Sequence, residues 1–479
     1  MTARHARTHG WLARVFVLLS GSIGSAILSF VTQLLCARSM PVADYGRLVA
    51  LLAAVNILAV FSGYGVGWYW LQLFGREGWN AYRWIKRTIQ LLALACLTGA
   101  VLLTIYVLWG DYDDPWLSIA LLIPILFSQS LAETTTSRFQ LEERFAALGF
   151  WQSAMQSGRF IVSLILIGLS MVDLRHLLAG YAAVSVLMTG ISLVSLEQVR
   201  RQQIKLVGHR STQPLGLPEP ISVWAVLVGS TPYCFCTIFY MVYASGVVAI
   251  VERMLGAESA ALYNSAYLII AAIYLVPSVV YMKYLVGKIF RWSAHDPDLF
   301  SAVIHLGVGL GFVAGVLCMI VVIASAGFVI PLLFGARFSG AVPVLIVLAI
   351  GIPVRFVQHA YGAAFFSEEN MKRKVWCLGG AAGICLLLSG ILIPLLGIQG
   401  AAVASVGSEL GLLGFFMAGV DRYVGALDLR STLSIRGLRA ACARIGQYSG
   451  LELGESPAFL NHSGILVSSG NPSCAQERQ

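Results

Sequence analysis

The sequence predicts an all-α integral membrane protein, with about twelve transmembrane helices set as two parallel six-helix repeats around a central cavity. Of its 479 residues, 58% are hydrophobic and only 11% charged, where a soluble domain is about half apolar and about a quarter charged. The apolar residues run in long continuous segments, and a helix of about 20 such residues crosses the hydrocarbon core with every backbone group satisfied. The two halves of the chain also echo one another.

Windows of about 19 residues place spans at roughly 15–37, 48–72, 88–109, 116–137, 148–170 and 174–196, then at roughly 221–249, 260–282, 300–324, 341–366, 375–396 and 398–420. The first follows Arg4, Arg7 and Arg14, as a signal peptide would. It is too long and lacks a small-residue cleavage site, so it reads as a retained anchor. The division that results is an N-terminal six-helix bundle over 1–196, a cytoplasmic linker over 197–220, a C-terminal six-helix bundle over 221–420 and a cytoplasmic tail over 421–479. The linker holds Arg200, Arg201, Lys205 and Arg210 and then Pro214, Pro218 and Pro220, a breaker-rich basic stretch. In the tail, Leu438, Ala441, Cys442 and Ile445 recur at helical spacing among Arg436, Arg439 and Arg444. That pattern suits either a basic amphipathic helix on anionic lipid or a solvated basic tail. Residues 450–479, rich in Ser, Gly and Pro, are expected to be disordered.

With the N-terminus inside, 25 of the 32 Lys and Arg fall in inside segments and 5 in outside loops, so the positive-inside rule puts both termini in the cytoplasm. The net charge of +9 then reports topology and attraction to anionic membrane lipid, and implies no nucleic acid. The nine cysteines lie mostly within spans, and Cys234-Phe-Cys236 lacks the paired spacing of a zinc site. They read as small packing residues, and no metal or cofactor is expected.

"LWGDYDDPWLSIALLIPIL" (108–126) parallels "LFGARFSGAVPVLIVLAIG" (333–351), "FQLEERF" (139–145) parallels "FFSEENM" (365–371), and Tyr45-Gly46 parallels Tyr263-Asn264, all at a nearly constant offset. A duplicated six-span unit produces such matches, and so does chance likeness between apolar segments. An even number of spans per unit gives both copies one orientation, the plan of transporters that hold substrate between two rocking bundles.

Two basic residues fall in neither class of loop: Arg159, near the middle of span 5, and Arg355, inside "VPVLIVLAIGIPVRFVQHAYGAAFF" (342–366). Insertion scales charge about 2.5–3.5 kcal/mol for such a residue, so each must face protein or water. At similar depth, one per half, they are expected to meet across a central cleft, where planar guanidinium forks match the oxygens of a diphosphate. Glu409 in mid-span 12, Glu133 near the cytoplasmic end of span 4, and His359 one turn from Arg355 are candidates for proton or ion coupling. The repeat offset carries Glu133 onto position 359. The competing reading is that an arginine neutralises Glu133 or Glu409 and so locks helices together. His305 reads as structural. Pro124, Pro232, Pro277, Pro343 and Pro353 within spans, with Gly307, Gly311 and Gly315 on one helix face, suit helices that bend and approach closely.

Catalysis is not expected, and no catalytic residue is assigned. Asp111, Asp113 and Asp114 gather in a short outer loop, but no soluble domain stands beside them to bind an acceptor. A phosphate-cradling GxxxxGK loop is missing too.

The residues at several places resemble a known family. "TQLLCARSMPVADYGRLVALLAAVNIL" (32–58) resembles the opening of Wzx-type polysaccharide repeat-unit flippases of the MOP exporter superfamily. "GAESAALYNSAY" (256–267) is similar to that family's entry into span 8, "IPLLFGARFSGAVPVLIVLA" (330–349) to its stretch before span 10, and "LGIQGAAVASVGSELGLL" (396–413) to its span 12. The resemblance covers about residues 15 to 420, leaving out the tail. It implies a MATE-like fold in a bacterial inner membrane and a flippase that moves undecaprenyl-diphosphate-linked oligosaccharide to the outer leaflet, for lipopolysaccharide O-antigen or exopolysaccharide biosynthesis. It also implies ion-coupled or potential-dependent alternating access, with H+ or Na+ as the candidate ion, and polysaccharide polymerase or export partners. The cavity role then falls to Arg159 and Arg355, and coupling to Glu133, His359 and Glu409. Gln129, Gln152, Gln156 and Gln358 are the candidate sugar contacts. The alternative is an ion-coupled drug or cation antiporter of the same superfamily, which would want acidic residues to dominate the cavity.

Overall fold

The computed structural model describes residues 21, 23–110, 112–206, 221–279, 281, 297–364 and 371–424. The arginines ahead of the first span, Asp111, the prolines of the linker, the "FFSEEN" stretch and the amphipathic tail lie outside the described residues. The described chain is helical and contains no strand. Its helices are α1 (Ile23–Ser39), α2 (Val42–Gly63), α3 (Val66–Glu77), α4 (Tyr82–Leu108), α5 (Pro115–Leu141), α6 (Phe145–Gly168), α7 (Leu174–Arg200), α8 (Val223–Leu255), α9 (Ala257–Val279), α10 (Pro297–Phe334), α11 (Val342–Ala349), α12 (Gly351–Ala364), α13 (Met371–Leu396) and α14 (Ile398–Val424).

Local chemistry fixes where these helices begin and bend. Asp114, Asp173 and Ser222 cap α5, α7 and α8 by accepting from the backbone N–H groups of Leu117, His176 and Ala225, the side-chain capping that a helix start requires. Asp114 thus has a structural use, and Asp113 pairs with Arg47 at 3.2 Å. The expected second span is broken between α2 and α3. Tyr64 and Gly65 there take left-handed φ of 45° and 64°, conformations that end a helix and favour glycine. The expected tenth span is also broken, by 44°, where the ring of Pro353 removes the N–H that would bond the last carbonyl of α11.

Among the described residues, eight helical stretches, or nine with the bent α11–α12 pair counted as one, are long and apolar enough to cross a membrane. One of these, Val42–Leu108, is about 100 Å long at 1.5 Å per residue and must turn back. Trp70 Nε1 donates to Thr88 Oγ1 and the Cys96 thiol donates to the Ser62 carbonyl, so residue numbers rise on α4 as they fall on α3 and α2. Two of the expected spans, α1 and α6, fall short of the measure. The described part of α1 is a shorter apolar helix, and α6 carries Gln152, Gln156 and Arg159. Leu94, Leu97, Val101 and Ile105 on α4 and Leu317, Ile320, Val321 and Phe328 on α10 are exposed. Apolar stripes of that size suit a hydrocarbon solvent and not water.

The two halves meet where α2 packs on α8 and α9. Gly46 makes this possible, because a Cβ there would stand 1.7 Å from the Ala257 carbonyl oxygen. Three arginines reach across at the same end of the bundle, the upper end, where α1, α4, α8 and α10 finish. Arg38 donates to the Leu333 carbonyl at 2.6 Å and to the Leu332 carbonyl. Arg337 donates to the carbonyls of Ala37 and Arg38 at 2.7 and 2.5 Å. Arg253 donates to those of Tyr106 and Trp109 at 2.5 and 3.4 Å. These last-turn carbonyls have no partner within their own helices and carry the negative end of the helix dipole.

Candidate functional site

A cavity of about 770 Å³ opens below these contacts, walled by α1, α2, α5, α6, α7, α8 and α9. Its lining runs from Ile23 to Gln33 on α1 and from Asn264 to Leu275 on α9. At 1.5 Å per residue that is about 15 Å of depth, half of the hydrocarbon core.

Arg159 is the one charged side chain among the described residues lining this cavity. It is 9% exposed, and its Nε and Nη2 atoms have no hydrogen-bond partner. The guanidinium instead lies over the Tyr181 ring, 5.4 Å from its centroid. Tyr181 is held in turn by its hydroxyl, 3.0 Å from Ser163 Oγ and 3.7 Å from Cys36 Sγ. An aromatic face stabilises the cation but leaves the in-plane donors free. Arg159 therefore borders the cavity as a buried, ring-backed guanidinium with two donors that no protein group satisfies.

Arg355 has a different setting. It lines a separate small pocket with Glu409, Tyr243, Tyr267 and Tyr274. Its Nη1 donates to both carboxylate oxygens of Glu409 at 3.2 and 3.3 Å, and Nη2 donates to the Tyr240 hydroxyl at 3.2 Å. The rings of Tyr240, Tyr243 and Tyr274 surround the guanidinium carbon at 5.2 to 5.6 Å. The expectation that the two arginines meet across one cleft is not met, because an acid on the neighbouring α14 has taken up the charge of Arg355. Tyr267 lines both the pocket and the cavity.

The other expected residues separate in the same way. Gln129 and Gln156 line the cavity. Gln152 does not, though its carbonyl accepts from Ser25 Oγ at 3.1 Å. Gln358 donates to the backbone carbonyl of Glu409 at 2.5 Å, and so braces the ion pair. The Nε2 atom of His359, one turn from Arg355, is buried without a partner. Glu133 packs its backbone and side chain against Gly67 of α3 and lines neither space. No group of three His, Cys, Asp or Glu that could hold a metal occurs among the described residues.

Sequence reasoning passed over Gln33, Asn56 and Asn264, which also line the cavity. A signal for the first was present: Ser25, Ser29, Thr32, Gln33 and Cys36 form a polar stripe at helical spacing on an otherwise apolar α1.

The arrangement has known counterparts. The lipid II flippase MurJ in an inward closed conformation superposes with a TM-score of 0.63 at 13% identity, over 90% of this chain and 93% of that one. An inward-facing multidrug resistance MATE family transporter of the MOP superfamily gives 0.58 at 12%, over 92% and 100%. The MATE multidrug transporter DinF-BH gives 0.59 at 12%, over 87% and 96%. At such identities the likeness is one of fold. Among curated proteins no sequence relative matches. The family model of polysaccharide biosynthesis proteins matches residues 11–285, more than half of the chain. With that match, the chain belongs to the polysaccharide biosynthesis protein family, and its membrane fold is one that a lipid II flippase and MATE transporters also have.

Proposed function

We propose that this protein flips an undecaprenyl-diphosphate-linked oligosaccharide from the cytoplasmic to the outer leaflet of a bacterial inner membrane. The observation that carries the reading is Arg159, a guanidinium with two unsatisfied buried donors and the one charged side chain among the described residues lining a cavity of about 770 Å³. A lipid-linked glycan has an apolar tail that stays in hydrocarbon and a diphosphate that cannot. A cation preorganised in a protein-walled space gives that headgroup a route, and guanidinium geometry suits phosphate oxygens. The positive sign also argues against a cationic drug as cargo.

With both termini in the cytoplasm, the upper end is the outer one and the cavity extends toward the cytoplasm. The state would then be inward-facing, sealed outside by Arg38, Arg253 and Arg337. Bundles over 1–196 and 221–420 would rock to exchange access. Coupling to H+ or Na+ is placed at Glu409, with His359 beside it and Arg355 as its counter-charge. Tyr267 would relay occupancy of the cavity to this pair. Glu133, apart from both, would act only by way of α3.

The test is translocation of an undecaprenyl-diphosphate-linked oligosaccharide in proteoliposomes. Arg159→Ala should abolish most of it and Arg159→Lys should keep part, since an ammonium supplies the charge without the fork. Transport unchanged in Arg159→Ala overturns the reading.

A further inference from the structure

In the same cavity as the cation, the wall holds a pair of carboxamides whose hydrogen bonds are only partly used. Asn264 Nδ2 donates to Gln33 Oε1 at 3.2 Å and lies 2.9 Å from the Tyr45 hydroxyl. Tyr45 is fully buried, whereas Gln33 and Asn264 both line the cavity. Each carboxamide has one carbonyl oxygen and one amino group. Once the two are joined by an amide-to-amide bond, an amino group remains on one and a carbonyl on the other. Turning both amides over exchanges the owners and leaves the same inventory. As placed, the Asn264 oxygen is the spare acceptor and the Gln33 amino group the spare donor.

A chain of contacts links them to Arg159. Tyr181, the ring under the Arg159 guanidinium, touches Cys36, and Cys36 is three residues along α1 from Gln33, about 4.5 Å of rise. A sugar bonded to a phosphate held by Arg159 would occupy the cavity that the pair also lines.

We propose that Gln33 and Asn264 form a sugar subsite, which reads a substituent on the sugar attached to the diphosphate that both donates and accepts a hydrogen bond. A hydroxyl meets that description and so does an acetamido group, whose N–H suits the Asn264 oxygen while its carbonyl suits the Gln33 amino group. The inference rests on the diphosphate reading of Arg159 and adds to it the residues that discriminate among glycans. A site built to bond a polar group rejects a ligand lacking it, because its own buried groups are then left unpaired.

The experiment compares binding of three probes to the purified full chain: undecaprenyl diphosphate, undecaprenyl-diphosphate-glucose and undecaprenyl-diphosphate-N-acetylglucosamine. The wild type should bind at least one sugar-bearing lipid about tenfold or more tightly than the bare diphosphate. Preference for both sugars identifies a hydroxyl as the group read, and preference for the second alone an acetamido group. Gln33→Leu and Asn264→Leu should each bring the ratio close to one while binding of the bare diphosphate stays within about twofold. Tyr45→Phe keeps both amides and removes only the buried hydroxyl, so it should keep the preference. The proposal is overturned if the wild type shows no preference, if it survives both leucine variants, or if Tyr45→Phe abolishes it as they do. Failure of the underlying reading looks different: the bare diphosphate would then bind no better to wild type than to Arg159→Ala.

Discussion

Arg159 and Arg355 are 9% and 7% exposed, each lies against tyrosine, and each sits within an expected span. Arg355 is bonded to a carboxylate and capped by a phenol, with its Nε left over, and Arg159 has both Nε and Nη2 without a partner. Depth and burial therefore do not make an intramembrane arginine a ligand site. What separates the two is the nearest acid. Arg355 has Glu409 on the adjacent helix, and among the described residues the polar groups lining the cavity with Arg159 are hydroxyls and amides.

The contrast can be broken most strongly from the side of the ion pair. Glu409→Ala strands a buried guanidinium, which should cost about 3–5 kcal/mol. Unfolding in detergent, followed by loss of helical signal, measures it. Arg355→Ala combined with Glu409→Ala should recover most of that loss, and a double variant as unstable as the single would show that the pair does not account for the acid. Next comes Arg159→Ala, which should leave unfolding close to wild type while initial transport rates fall about 10- to 100-fold, the worth of a hydrogen bond to a charged group.

Smaller effects should follow at the upper end. Arg38→Ala and Arg253→Ala each remove two charge-assisted bonds to helix-end carbonyls, so each should shift the population toward opening at that end by about three- to tenfold. Spin-label distances between that end's loops in the two halves read this shift, and the double variant should show close to the product of the single effects. Asp113→Ala should have the smallest consequence. Its partner Arg47 is half-buried but Asp113 itself is 78% exposed, so stability should change by about 0.5 kcal/mol and by less as salt is raised.

Much of the helical framework was readable because long apolar runs have few alternatives in a bilayer. Arg159 was readable for the same reason, as a cation stands out against such a run. Its neighbours were not. Amides carry no charge, and Gln33 meets Asn264 across 231 positions of chain, a proximity that no local pattern encodes. Arg355 and Glu409 were both picked out and an arginine–acid pair was the competing reading, but which arginine meets which acid is settled between α12 and α14 and no local pattern encodes it. Polar residues also weaken the signal that would reveal the fold: α6 falls short as a candidate span while carrying Gln152, Gln156 and Arg159. Arg38, Arg253 and Arg337 were counted only as exceptions to a charge rule, since a cap on another helix's carbonyls is visible only when helix ends are seen together.

The contact at Gly46 has a mechanical consequence. With no side chain between the α2 backbone and the Ala257 carbonyl, the two backbones come close together near the upper face, and a swivel about that close approach disturbs fewer side chains than a slide past it. Gly46 would then be a fulcrum with a short arm above and a long one below. From Gly46 to Gly63 the lower arm is about 26 Å, so a swing of about 10° carries its tip roughly 4.5 Å. A barely perceptible stir at one surface becomes a doorway at the other.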